Sequence, residues 1–355
     1  MKLIQVKTRG TGPLLESNWI PLSRGLNQFY FSNPYEGTTF LRALQSLHPL
    51  YSCAAADPFA ELPRFEKQGN HTRHIQASKR TIALGVFGAT ADLVNELGVI
   101  DQNLYETDRI EIGRRLDYSR WINFVELSSS TRWKEIEPNI SELFDHLPQQ
   151  NEKLSNEVME FLQTLAGTDR IRDDVANRLI SYLSLLEDTG KEKALFNETV
   201  ECIKRAAHFQ TAREVVFKRL PLFIYFNEHG YINFPGNNIT NSPSNDHNEL
   251  IQYLKERQVL GLSPATDDIV ERIKTGIDLG ISASSSIHRM PPIFLFDAPE
   301  TNIPDNSISK LAQLIQKTAE TYQCCYLSRD IEFFKPSEAG RSYHCNDLKV
   351  PTKLP

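Results

Sequence analysis

The stretch from Gly25 to Leu44, GLNQFYFSNPYEGTTFLRAL, constrains the chain more than any other. An apolar strand is expected from Asn27 to Phe31 and a polar turn from Ser32 to Gly37. A helix carrying Leu41 and Leu44 on one side should follow. It is expected to begin near Thr38, continue through Leu47 and stop before Pro49. Two further strands precede it, from Lys2 to Lys7 and around Trp19 to Leu22, separated by a turn at Gly10 to Pro13.

Strand, turn and helix are the frame of a nucleotide-binding P-loop, G-x-x-x-x-G-K-[ST]. There the glycines let backbone N–H groups cradle phosphates, and a lysine reaches the outer ones. The equivalent window is Phe31 to Thr38. Phe31 and Glu36 stand in the glycine positions and Gly37 in the lysine position, so only Thr38 fits.

At 355 residues, 40% hydrophobic and 24% charged, the chain has the composition of a soluble globular protein of one elaborated domain or two. A net charge of −6 argues against a uniformly basic nucleic-acid binder but leaves room for a local basic patch. No apolar run approaches the roughly 20 residues of a membrane span. The segment MKLIQVKTRG holds no apolar core of a signal peptide. A cytoplasmic location with no membrane partner is expected. The five cysteines, Cys53, Cys202, Cys324, Cys325 and Cys345, form neither a disulfide framework nor a zinc pattern. His71 and His74 lie close together without further ligands nearby, which reads as a polar strand or turn.

Along the rest of the chain, strands are expected within Thr72–Phe87, at Trp121–Leu127, Leu222–Phe226 and Cys324–Leu327. Helices are expected at Ala89–Leu97, near Trp133 with an interruption at Pro138, and at Ile140–Leu147, Glu249–Leu260, Asp267–Leu279 and Ile308–Thr321. Ala54–Phe65 and Gly236–His247 read as loops, and the segment from Lys335 onward as a poorly packed tail. Between Asn151 and Leu220, three or four helices separated at Gly167 and Gly190 would form a lobe or antiparallel arm. Its last part carries Lys204, Arg205, Arg213, Lys218 and Arg219 against Glu201 and Glu214. That is either a nucleic-acid-binding face or an ordinary solvated helix surface.

The second informative place is Pro291–Asp297, PPIFLFD, followed by Ala298-Pro299-Glu300. Together with the opening stretch it resembles the ATPase head of the SMC, RecF and OLD-type ABC ATPases. The matching residues are Gly25-Leu26-Asn27, Asn33, Thr38-Thr39, Leu41, Ala43 and Leu44. Farther on, Ile293–Asp297 with Ala298-Pro299 falls where the family has an apolar run and D-E-P. Thr301–Asp305 resembles its D-loop, and Ser328-Arg329-Asp330 its T-H-D or T-H-S. RLPLFIYF, at Arg219–Phe226, resembles the strand after the helical insertion of OLD-type members.

The resemblance implies an α/β fold with a P-loop-NTPase-like sheet flanked by helices and a helical insertion lobe. Residues 1–138 and 221–355 would form the head, and 139–220 the lobe. A vestigial nucleotide and Mg²⁺ site would comprise Asn33, Thr38, Thr39 and Asp297. The departures are systematic. Gly37 replaces the lysine, and Phe31, Pro34 and Glu36 replace loop glycines. Ala298 replaces the water-polarising carboxylate and Arg329 the switch histidine. The signature motif would have to be the Ser-rich stretch from Ile281 to Ser286, which lacks its glycines. Phosphoryl transfer depends on stabilised charge and a positioned water. Glu36 instead puts negative charge where phosphates would lie.

A pseudo-ATPase is therefore expected, with no cofactor and at most weak binding of Mg-ATP. The resemblance implies a protein partner, either an active ATPase or nuclease subunit or a second copy through the head. It also implies a setting in DNA repair, chromosome maintenance or defence against phage. Two alternatives stay open. One is a metal-dependent nuclease or weak ATPase drawing on Glu228, Asp246, Asp297 and Glu300 with His229, His247 and His288. The other is a nucleic-acid-binding module resting on residues 204–219.

Overall fold

The computed structural model describes residues 1–11, 14–49, 77–101, 104–127, 131–144, 152–186, 193–232, 268–287, 290–330, 333 and 341–344. The expected loops at Ala54–Phe65 and Gly236–His247 and the expected helix at Glu249–Leu260 lie outside these residues. So do Cys53, His71, His74, Gly190, Asp246, His247, His288 and Cys345.

The first half of the chain forms β1 (Lys2–Thr11), β2 (Leu14–Glu16), β3 (Ile20–Pro21), β4 (Leu26–Tyr30), α1 (Pro34–Gln45), β5 (Thr81–Gly88) and α2 (Ala91–Ile100). Next come β6 (Arg109–Arg115), β7 (Arg120–Phe124), α3 (Trp133–Phe144), α4 (Glu152–Gln163), α5 (Asp173–Leu183) and α6 (Lys193–Lys218). The last part holds β8 (Phe223–Phe226), α7 (Ile269–Ile287), β9 (Ile293–Asp297), α8 (Asp305–Thr321), β10 (Gln323–Ser328) and β11 (Arg341–His344). Residues 1–88, 110–122 and 219–355 form one compact unit, and 89–109 with 123–218 form another.

The first unit is α/β with two sheets. One runs β2-β1-β5-β6-β7 with β3 also on β1, and β1 is antiparallel to β2, β3 and β5. The other is wholly parallel, in the order β11-β4-β10-β9-β8. Side chains alternate across a strand, so each strand feeds two faces. Ile224, Phe226, Phe294, Phe296, Cys324 and Tyr326 form one face and pack with Ile273 and Ile277 of α7 and Leu311 and Ile315 of α8. The opposite face receives α1: Phe40 lies 4.9 Å from Phe29, ring centre to ring centre. α1 also packs against β1 and β5, so it lies between the two sheets. That position explains why even Arg42 and Gln45 are buried on it.

The second unit is helical. Trp133, Ile136 and Ile140 of α3, Val158 and Phe161 of α4, Leu179 and Leu183 of α5, and Ile203 of α6 share one core. Phe196, Val200, Ile203, Ala207, Ala212, Val215 and Val216 are carried by one helix, α6, 26 residues long, and Leu220 falls beyond its end.

Three expectations need correction. Pro138 does not interrupt its helix: α3 runs through it, because Trp133, Ile136, Ile140, Leu143 and Phe144 keep one buried face on either side of the lost hydrogen bond. A boundary at 138 therefore cuts a helix, and the helical unit also includes residues 89–109. The segment after Lys335 is not all unpacked tail. β11 pairs in parallel with β4 from Arg341↔Asn27 to His344↔Tyr30, and Tyr343 stacks on Phe29 at 5.2 Å. The helix expected to end at Leu279 runs on to Ile287, so the Ser-rich stretch from Ile281 to Ser286 is the C-terminal part of α7. Ala283 is buried there, and the Ser284 hydroxyl donates to the Met290 carbonyl.

Candidate functional site

Parallel strands bring their carboxyl ends to one edge of the sheet, where ligands of open α/β sheets bind. Here that edge holds Tyr30, Ser328, Asp297 and Phe226, the last residues of β4, β10, β9 and β8. β10 lies between β4 and β9 and pairs Leu327 with both Phe29 and Asp297. The segment leaving β4 and the aspartate ending β9 therefore meet across a single strand.

The expected turn from Ser32 to Gly37 is mostly helix. α1 starts at Pro34, with Asn33 as its N-cap. The Asn33 side chain accepts from the Tyr35 N–H at 3.0 Å. The Asn33 carbonyl accepts from the N–H groups of Glu36 at 3.1 Å and Gly37 at 3.4 Å. Pro34 has no N–H. Every backbone donor of this turn from Tyr35 to Gly37 is thus spent inside the turn, whereas a phosphate cradle needs such donors pointing outward. Phe31 is buried and packs on Phe40 at 5.6 Å. Glu36 is buried in the first turn of the helix, the end that favours a carboxylate.

A side chain at the Gly37 position would require Leu327 to move from its present packing. A Cβ there would lie 2.6 and 2.7 Å from the two terminal methyls of Leu327, itself 3% exposed. The core occupies the space where a phosphate-binding side chain would have to start.

Of the four residues expected at the nucleotide site, two meet. The Thr38 side chain lies close enough to the Asp297 carboxylate to favour its charged form. Tyr225, at the middle of the buried strand β8, donates its phenol hydroxyl to the same carboxylate. Asp297 is 5% exposed. Burial raises its pKa above the usual carboxylate value, opposed in part by the hydrogen bonds from Tyr225 and Thr38 and by the charges of Arg42 and Arg329. The Arg42 guanidinium lies 4.2 Å from the centre of the Tyr225 ring. Asn33 turns to its own helix, and Thr39 is buried in α1. Asn27 straps the bend before β4: it accepts from the Ser23 N–H at 2.7 Å and donates to the carbonyls of Gly25 and Cys324 at 3.2 and 3.3 Å.

The other candidates separate into groups. Glu300 lies in a short helical turn, Pro299–Asn302, after the left-handed Ala298 (φ 46°). Its carboxylate accepts from Tyr326, Ser328 and the Arg329 N–H. Glu228 pairs with Arg329 at 3.1 Å and lies 3.7 Å from His229. Among the described residues no group of three or more His, Cys, Asp or Glu is arranged to hold a metal ion.

The basic residues do not form one stripe. Lys204 lies 3.9 Å from Asp101 and Arg205 3.4 Å from Glu201. Nine residues separate Lys204 from Arg213, which is about half a turn around a helix. Arg219 falls beyond α6, in the first unit. Sequence reasoning missed Tyr225 and Leu327. For Tyr225 a signal existed: a buried phenol in an otherwise apolar strand needs a hydrogen-bond partner.

No protein-family model and no curated relative matches the chain. Among solved structures it is similar to the recombination mediator protein RecF bound to ATP, at 14% identity and a TM-score of 0.37, over 98% of this chain and 95% of that one. It is also similar to the SMC head domain from Thermotoga maritima, at 10% identity and a TM-score of 0.32, over 96% and 94% of the two chains. An SMC head bound to the C-winged helix domain of ScpA is similar at 12% identity and a TM-score of 0.35, over 94% and 91%. A likeness of this degree carries no argument about the site. Among the described residues no helix is long and apolar enough to cross a membrane.

Proposed function

We propose that this chain is a pseudo-ATPase: an ABC-type head whose nucleotide site is retired and which serves as a scaffold or regulator within a protein complex. One observation carries the loss of phosphate binding. The turn after β4 spends its own N–H donors on Asn33 while Leu327 packs against Gly37. A triphosphate brings several negative charges, and tight binding needs convergent donors and cations. This turn offers a buried Glu36, a proline and no lysine. Thr38 and Asp297, the residues that would support Mg²⁺, lie close enough to interact with each other.

The setting in DNA repair, chromosome maintenance or phage defence rests on the sequence resemblance alone, as does a partner that keeps an active ATPase or nuclease. Co-purification of the tagged full chain from its native cell, followed by ATPase assays of the chain alone and of the complex, tests the assignment. The expected result is no turnover by the chain alone and a stoichiometric protein partner. Turnover by the chain alone that is abolished by Asp297→Ala would overturn it.

A further inference from the structure

Three donors converge on one buried carboxylate at the end of β10. Glu300 Oε2 accepts from the Tyr326 hydroxyl at 2.7 Å. Glu300 Oε1 accepts from the Arg329 backbone N–H at 2.9 Å and from the Ser328 hydroxyl at 3.0 Å. The single Ser328 proton is shared with the Asp330 carbonyl, 2.6 Å away. Glu300 is 8% exposed, Ser328 1% and Tyr326 0%. Burial above all, and the Glu300 charge beside it, push the Tyr326 phenol well above its ordinary range. Tyr326 is therefore a donor throughout the physiological range.

Two hydroxyls and a backbone N–H around a pair of oxygens make a donor set suited to an oxyanion. The carboxylate comes from the turn after β9, while its donors sit on and just after β10. We propose that Glu300 is a built-in anionic ligand, whose carboxylate fills an oxyanion cradle formed by Tyr326, Ser328 and the Arg329 N–H and so latches the turn after β9 to the end of β10 without any external anion.

A second tie runs over the same edge. The Arg329 guanidinium reaches Glu228, after β8, at 3.1 Å, and the Asn302 amide donates to the Glu228 carbonyl at 3.0 Å. The latch places Arg329 by its backbone, and the ion pair holds its side chain. The ends of β8, β9 and β10 are thereby laced together. Removal of the carboxylate takes this acceptor from the Tyr326 hydroxyl and the Arg329 N–H, while Ser328 keeps the Asp330 carbonyl, and a small oxyanion of the right size can then take its place. The latch stands on its own contacts and does not depend on whether Mg-ATP binds near Asp297.

The test uses the full chain with Glu300→Ala, hydrogen exchange by mass spectrometry, and sodium formate as the probe, with sodium chloride at equal ionic strength as control. The variant is expected to lose roughly 5 °C or more in Tm. Exchange is expected to rise at least about tenfold across residues 299–302 and 323–330. Formate at tens of millimolar should recover at least half of the lost Tm, chloride should not, and the wild type should respond to neither. Wild-type protection in the variant, or equal effects of formate and chloride, would overturn the latch. If Glu300→Ala does not fold, Tyr326→Phe with Ser328→Ala keeps the carboxylate and removes two donors. Faster exchange at Arg329 then supports the cradle, and unchanged exchange there overturns it.

Discussion

Leu327 fills the space that any side chain at position 37 would need, with its terminal methyls 2.6 and 2.7 Å from where a Cβ would sit. Helix propensity alone favours alanine over glycine by about 1 kcal/mol. Overpacking a closed core costs about 1–3 kcal/mol. Gly37→Ala is therefore expected to destabilise the chain in the wild-type background and to stabilise it, relative to the single variant, once Leu327→Ala has opened the site. Urea denaturation of the four proteins of this cycle measures the coupling, expected at roughly 1–3 kcal/mol. Simple additivity would show that Leu327 does not hold the site shut.

The Asp297 carboxylate sits in a buried site that raises its pKa. The folded chain therefore binds this proton more tightly than the unfolded chain. Its contribution is fully present below the ordinary carboxylate pKa and is lost as pH rises through the raised folded value. Relative to Asp297→Asn, the wild type is expected to gain stability as pH falls from neutral toward the ordinary carboxylate range. Denaturation midpoints of both proteins across that range give the sign. A wild type that loses stability relative to the variant on acidification would contradict the buried, weakly compensated carboxylate.

Arg114, 4% exposed, closes the C-terminal end of α1. It donates to the Ser46 carbonyl at 2.5 Å and the Leu47 carbonyl at 3.4 Å, and also to the Tyr118 carbonyl. These are the acceptors that a helix end leaves without intrahelical partners. Arg114→Ala is expected to cost roughly 2–4 kcal/mol, since buried acceptors lose a charged donor. Arg114→Lys should recover part of it. Chemical denaturation decides, and a cost within experimental error for Arg114→Ala would sever this link between β6 and α1.

Much of the parallel sheet was legible because three adjacent strands, β8, β9 and β10, are short, mostly apolar runs: FIYF, IFLFD and QCCYLS. Strands buried on both faces read this way. β11 was not legible. It is a four-residue edge strand, RSYH, with three exposed residues and one aromatic anchor. The early start of α1 had a local signal that the P-loop frame obscured. Asn33, Pro34 and Glu36 are N-cap, first-turn proline and third-position acid, the ordinary pattern of a capped helix start. Thr38 and Asp297, expected at one site, do lie close enough to interact. Pairings between residues far apart in the chain, such as Leu327 with Gly37, depend on which strand inserts between which, and that has no local signature.

On α6 the charged pairs Lys204 with Asp101 and Arg205 with Glu201 offset two of the basic groups. Nucleic-acid binding through this helix is expected to be weak. In a gel shift at low salt, Arg213→Glu with Lys218→Glu should leave any retention of DNA nearly unchanged. A large, salt-sensitive loss on these substitutions would instead identify α6 as a phosphate-contacting surface.

The turn capped by Asn33 and backed by Leu327 is expected not to receive a nucleotide. Isothermal titration calorimetry of the full chain with ATP and Mg²⁺ tests it most directly. No saturable heat is expected through the millimolar range. A micromolar dissociation constant that weakens in Asp297→Ala would contradict it.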